Sequence, residues 1–301
     1  MKSGSSETPI AIYGAIGANF VIAIAKFIAA LFTGSSAMLS EGIHSVADTG
    51  NQLLLLLGVR RGRVPPDDLH PFGHGKELYF WSLIVAIVLF GVGGGMSLYE
   101  GISHLQHPTE ITNPVWNYLV LGIGLLVEGA AWIIALREIL KTQAKGQTLW
   151  QAIRSSKDPA VFTVLGEDSA ALVGLIVAFV GVFLGHRLDM PALDGVASIV
   201  IGVILIVVAS FLAYESRDLI IGESASPTLV SGIRSVLENE TRVEAVERLL
   251  TMHLGPRNVL VATEVRFDPQ LSTPDIEATM DQLEQKIREK HPLVGQIFIE
   301  C

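Results

Sequence analysis

Cysteine is almost absent from this sequence. Cys301, the last residue, is the only one, which excludes an intramolecular disulfide and any cysteine-based metal site. Charge is scarce as well: Asp, Glu, Lys and Arg make up 17% of the chain, where a soluble domain carries about 25%. The formal balance of −9 leaves no basic excess for a nucleic-acid partner. No H-E-x-x-H motif is present. The opening "MKSGSSETPI" has one Lys, followed by polar and acidic residues, and no cleavage site closes the first apolar run. That run is therefore expected to stay as an anchor rather than leave as a signal peptide. What the chain has in abundance is apolar: 50% hydrophobic residues and a mean hydropathy of +0.49 over 301 residues. Most of it is expected to lie in a membrane.

Crossing a hydrocarbon core of ~30 Å takes ~20 helical residues. Six runs meet this, near 9–33, 36–59, 78–104, 113–139, 160–185 and 192–215, giving a six-helix transmembrane domain over 1–215. "TGSS" joins the first two spans into a tight hairpin, and the 140–159 connection has room for a short interfacial helix. In the third span "GVGGGMS" offers Gly91, Gly93, Gly94 and Gly95 as a close-packing seam between helices. Arg60, Arg61, Arg63 and Lys76 mark one connection and Lys141, Lys145, Arg154 and Lys157 another, whereas the opposite side has only Arg187. The positive-inside rule places both termini and the basic connections in the cytoplasm. From residue 216 the apolar residues become periodic and charge rises. The pattern reads α-β-β-α-β, a small cytoplasmic α+β domain over 216–301 with its helices on one sheet face. Val259, Val261, Val265 and Phe267 form one strand face, and the second helix is expected to be capped by Thr273 with Pro274 at its first position.

Ionisable side chains inside a span cost roughly 2.5–3.5 kcal/mol each on insertion scales, so they need a partner or a task. Those well inside are Lys26, Glu41, His44, Asp48, Glu128, Glu167 and Asp168. His44 and Asp48 are four apart and share a helix face; Glu41, Asn51 and Gln52 extend the stripe. One imidazole and two or three carboxylates, with Glu167 and Asp168 contributed by the fifth span, suit a tetrahedral divalent ion, Zn²⁺ above all. The other reading is a structural hydrogen-bond network between helices. Lys26 and Glu128 are read first as an internal salt bridge; Glu128 serving the metal or carrying protons is the alternative. A second cluster precedes the third span. In "PPDDLHPFGHGKELYF", His70 and His74 have the H-x3-H spacing, with Asp67 and Asp68 just upstream. They suit a surface metal site, or else form an ordinary solvated loop.

In this order, these residues resemble the cation diffusion facilitator family, over essentially the whole chain. "HSVAD" matches its second-span metal pair as His44 and Asp48, "HPFGHGKE" its motif before the third span, and "LDGVASIVIG" its sixth-span opening with Asp194. "SSKDPAVFTVLGEDSAA" and Glu128 in "LVEGAAW" are most similar to the branch that includes the mitochondrial zinc transporter, solute carrier family 30 member 9. The resemblance implies six spans, a ferredoxin-like cytoplasmic domain, a homodimer, and a transport site of His44, Asp48 and Asp168. Val164 stands where the fourth ligand of the family pattern falls; Glu167, water and Glu41 are the candidates to replace it. Glu247, Glu264 and Glu300 fall near family ligand positions in the last domain. With only His253 and His291 there, a C-terminal site of Glu247, His253 and Glu264 would be weak and oxygen-rich.

The function expected is proton-coupled efflux of Zn²⁺ by alternating access, with zinc as transported substrate, no organic cofactor and no enzymatic activity. Its partners are metal ions, protons, the bilayer and a second copy of the chain. Efflux of Fe²⁺, Mn²⁺ or Co²⁺ is the alternative within this class. A non-transporting metal sensor and an intramembrane metal-dependent hydrolase are the alternatives outside it. The compact loops and the absence of a transit peptide favour a bacterial inner (plasma) membrane.

Overall fold

The computed structural model describes residues 9–108, 114–142 and 159–301. The helices are α1 (Pro9–Thr33), α2 (Ser36–Arg61), α3 (Glu77–Val88), a π-helical segment (Leu89–Gly95) continuing into α4 (Met96–Gln106), α5 (Val115–Thr142), α6 (Pro159–Leu188) and α7 (Ala192–Ile221). Then follow α8 (Pro227–Glu238), β1 (Val243–Gly255), β2 (Asn258–Phe267), α9 (Thr273–Lys290) and β3 (Val294–Glu300). Four stretches are long and apolar enough to cross a membrane: Glu77–Gln106, Val115–Arg137, Phe162–Leu188 and Ala192–Ile221. Asn19–Thr33 in α1 is a shorter apolar stretch, and α2 is diluted by its own polar stripe. Of the expected interfacial segment, residues 143–158, with Lys145, Arg154 and Lys157, lie outside the described residues.

The chain folds into two compact units. The first is built from the described parts of Met1–Leu57, Trp81–Ile153 and Ala160–Tyr214, the second from Gly58–Phe80 and Glu215–Cys301. In the first unit α1 ends on Gly34, whose φ of 71° only glycine adopts freely and whose N–H closes on the Ala30 carbonyl. Ser35 then caps α2, its hydroxyl oxygen accepting from the Met38 N–H at 3.1 Å. The remaining free N–H groups of that helix start, on Ser36 and Ala37, donate to the Asp194 carboxylate at 2.5 and 3.3 Å. A buried anion from α7 thus closes the N-terminus of α2.

The glycine seam differs from the sequence expectation. Gly91 faces open space and Gly95 touches only its own helix, while Gly93 meets Leu89 and Leu205. The close approach runs through Gly94 and Gly101, seven residues and therefore two turns apart, against Gly202 and Gly195 of α7. A Cβ on Gly94 would lie 2.5 Å from Ile206, and one on Gly101 2.7 Å from the Gly195 carbonyl. "GVGGG" instead supplies the π-helical turn that joins α3 to α4.

In the second unit β1 and β2 pair antiparallel, and β2 and β3 parallel, in the order β1-β2-β3. Val259, Val261, Val265 and Phe267 alternate onto the buried face as expected, packing with Ile233 and Leu237 of α8 and Leu283 and Ile287 of α9. The α-β-β-α-β order matches the sequence reading. The cap of α9 is Ser272 rather than Thr273: Thr273 is already helical, and the Asp275 carboxylate reaches back to the Ser272 N–H at 3.3 Å, closing a capping box. Pro274 takes the second helical position. The connection between α2 and α3 packs in this unit. Gly75 lies so close to the Leu254 carbonyl that a Cβ would collide with it, Lys76 Nζ donates to the Ile220 carbonyl, and Phe72 meets Phe298 edge-on.

Gly101→Ala should lower the melting temperature of the purified protein by several degrees, because overpacking against a backbone carbonyl costs about 1–3 kcal/mol. Gly91→Ala, facing open space, should leave it within about a degree. Equal effects in a thermal melt would contradict the seam.

Candidate metal centre

α2 carries the polar stripe, and the structure divides it among neighbouring helices. Nearest its start, Glu41 is fully buried and accepts from Lys26 Nζ at 3.0 Å. Lys26 also donates to Ser45 Oγ at 2.8 Å and to Glu128 Oε1 of α5 at 3.1 Å. The Lys26–Glu128 bridge read from the sequence is therefore present, and Glu41 joins it. Glu41 fits because α6 offers Gly174 opposite; a Cβ there would meet Glu41 Oε1 at 2.5 Å. Ser45 was not singled out in the sequence, although its position four residues after Glu41 put it on the same face.

One turn on, His44 Nδ1 lies 3.3 Å from Asp48 Oδ1, with exposures of 1% and 18%. Next, Asn51 Nδ2 donates to Glu167 Oε1 of α6 at 2.6 Å. Asp48 interacts electrostatically with Glu167, Glu128, Lys26 and Asp168. Beside Glu167 and Asp168, Trp132 Nε1 donates to Ser169 Oγ and so ties α5 to α6. The closed tetrahedron expected of His44, Asp48, Asp168 and Glu167 is not formed. Among the described residues no three ligand atoms of the membrane helices lie within 4.8 Å of one another. What forms instead is the His44–Asp48 pair and the Asn51–Glu167 pair. Asn51 occupies one Glu167 oxygen.

Burial leaves several atoms here without hydrogen-bond partners: Glu41 Oε1, both His44 nitrogens, Asp48 Oδ1, Asn51 Oδ1 and Glu128 Oε2; the His44–Asp48 approach is an ion-pair contact and not a hydrogen bond. Leaving a buried polar atom unpaired costs about 1–3 kcal/mol, more for a charged group. Four of the six are oxygens that only accept, and neutral imidazole adds one more lone pair. Such a set of acceptors is complemented by donors such as water or by a cation.

The loop cluster is closed. Asp67 Oδ1 lies 3.2 Å from His70 Nδ1, Asp67 Oδ2 lies 3.0 Å from His74 Nε2, and the two imidazole centres are 4.2 Å apart. Ligand atoms of the three residues all fall within 4.8 Å of one another. Asp67 Oδ1 also accepts the Leu69 and His70 N–H groups. Hydrogen bonds from His74 and from His70 hold the Asp67 carboxyl down at about 2. Exposures of 54% for His70, 49% for Asp67 and 14% for His74 make this a surface site. Asp68 is not part of it.

The C-terminal trio does not come together. Glu247 pairs with Arg266 on the exposed sheet face. Glu264 stands opposite Arg248 on β1 and Glu300 on β3. His253 is buried five residues along β1 from Arg248, some 17 Å at the rise of a strand. Glu247, His253 and Glu264 therefore cannot share one ion within this domain.

Residues 12–221 match the family model described as the cation efflux transmembrane domain, and residues 225–301 the one described as the cation efflux protein, cytoplasmic domain. The mouse mitochondrial proton-coupled zinc antiporter SLC30A9 is 36% identical over 267 residues, 88% of this chain and 47% of that protein. Metal tolerance protein C4 of Arabidopsis thaliana is 32% identical over 262 residues, 87% and 57%. The manganese efflux system protein MneP of Bacillus subtilis is 25% identical over 252 residues, 82% and 80%. The chain spans about half the length of the antiporters it matches. With both family models matched in order along the chain, this multi-pass membrane protein belongs to the cation efflux family.

Proposed function

We propose that the protein is a proton-coupled antiporter that exports Zn²⁺ through α2 and α6. The observation that carries this is the set of buried, unpartnered acceptors around His44 and Asp48. The transport site is His44, Asp48 and Asp168 with Glu167 as the fourth ligand, in place of the absent group at Val164. Closing it takes rotation of Glu167 off Asn51 and approach of α6 to α2, movements of the kind that alternating access requires. Metal ligands must be deprotonated, so metal entry displaces protons and proton entry from the far side displaces metal. Zinc fits a site containing one imidazole better than a hard-oxygen cation does, and the names of the SLC30A9 relatives point the same way. The MneP name keeps Mn²⁺ as the second substrate to test.

The same reading takes α1 and α2 as the remaining two of six spans, their polar groups facing inward. It takes the C-terminal unit as a ferredoxin-like dimerisation module and the protein as a homodimer. Arg60 and Arg61 in the last turn of α2 and Arg63 just after it favour both termini on the cytoplasmic side, and we place the chain in a bacterial inner membrane. Asp67, His70 and His74 bind a second ion at the cytoplasmic surface.

Three measurements test this. In proteoliposomes with a pH gradient, zinc flux should fall at least 100-fold in Asp48→Ala and in Asp168→Ala; normal flux in both would remove the site assignment. At the loop, Asp67→Asn should abolish binding of the surface ion. The Asp67 carboxyl, followed by carbonyl NMR without metal, should titrate near 2. Its lowered value means that the loop's hydrogen bonds are complete above the ordinary aspartate value of 3.8 and are lost as pH falls through about 2. A midpoint at 3.8 would contradict the bonding described.

A further inference from the structure

Lys26 is fully buried in α1, and its ammonium has three donors for three acceptors. Glu41 Oε2, Ser45 Oγ and Glu128 Oε1 surround it at 3.0, 2.8 and 3.1 Å, contributed by α2 and α5. This is the arrangement of an ion in an oxygen cage, with the ion tethered to the chain. The cage holds two carboxylates and one positive charge, and a second oxygen of each carboxylate, Glu41 Oε1 and Glu128 Oε2, is buried without a partner. Ser45 is the residue after His44, so the cage and the imidazole of the transport site are neighbours on α2. Gly174 leaves room for the group: a Cβ there would lie 2.5 Å from Glu41 Oε1.

Remove the ammonium, and two carboxylates and a hydroxyl converge on one buried point. Oxygens now about 3 Å from Nζ need to draw in by roughly 0.2–1.1 Å to reach the 2.0–2.6 Å of a divalent cation with hard ligands. Two buried carboxylates with no counter-charge attract such an ion strongly.

We infer that Lys26 is a built-in cation that holds Glu41 and Glu128 and so limits this cluster of acceptors to a single transported ion. Lys26 touches no substrate. It is a positioning residue that sets how many divalent ions the cluster accepts, and it keeps Glu41 and Glu128 from joining the ligands of the transport site. The inference rests on the transport-site reading above.

The test counts Mn²⁺ and Zn²⁺ bound per chain to the purified full-length protein, by equilibrium dialysis with elemental analysis. Lys26→Met should bind one more ion than the wild type, with Mn²⁺ taken as readily as Zn²⁺ at the added site. Lys26→Arg should keep the wild-type count, since the charge is retained, and Lys26→Met/Glu128→Gln should return to it. A residue that only holds helices together would change the melting temperature and leave the count unaltered. An unaltered count in monodisperse Lys26→Met overturns the inference. Glu128→Gln keeps the Lys26–Glu41 pair and decides the matter if Lys26→Met does not fold: its count should equal the wild type, and loss of an ion would make Glu128 a ligand and overturn the assignment. Asp48→Ala, which should lower the count by one, reports separately on the transport site.

Discussion

The structure of the membrane unit depends on one constraint: acceptor atoms placed where water does not compensate them need a positive charge. Glu41, His44, Asp48, Asn51, Glu128 and Glu167 are all drawn into a space bounded by α1, α2, α5 and α6. Lys26 supplies one fixed cation. It satisfies three oxygens and leaves others bare, and an uncompensated buried carboxylate is far too costly to be incidental. In the function proposed here, a cargo that arrives as a divalent ion and is replaced by protons supplies the rest in alternation. Stability and transport are in this sense the same electrostatic problem.

α2 carries that constraint to the rest of the fold. Its start is closed by Asp194 of α7 and by Ser35. Ser40 meets Ser198 of α7, which in turn donates to the Ser97 carbonyl of α4. Its middle is held to α1 and α5 through Lys26, and farther on Asn51 reaches α6. α4 and α7 meet through glycines at backbone distance. In the function proposed here, the bond to be exchanged is Asn51–Glu167, and α6 is the helix that moves against α2.

Much of this was legible in the sequence. Apolar run length located every long helix to within a few residues, and period-two alternation identified the buried face of β2. The i, i+4 spacing put His44 and Asp48 together, and H-x3-H spacing did the same for the loop site. Three features were not legible, each for a physical reason. The fate of Glu41 depended on a lysine in another helix and a glycine in a third, contacts that no local period encodes. Of the glycines expected in the seam, Gly94 is in it and Gly91 and Gly95 are not, and Gly101, two turns on and outside the glycine run, completes it. The proposed C-terminal trio failed on register: five residues of strand separate His253 from the position paired with Glu264, a distance that proximity in the list of acidic residues conceals.

The most direct measurement of the central claim is the zinc K-edge absorption spectrum of the zinc-loaded protein with the loop ligands Asp67, His70 and His74 replaced by alanine. The account predicts four light ligand atoms at about 2.0 Å with the multiple-scattering signature of a single imidazole, that of His44, and no sulfur. A six-oxygen shell, or a shell with two or more imidazoles, would contradict it.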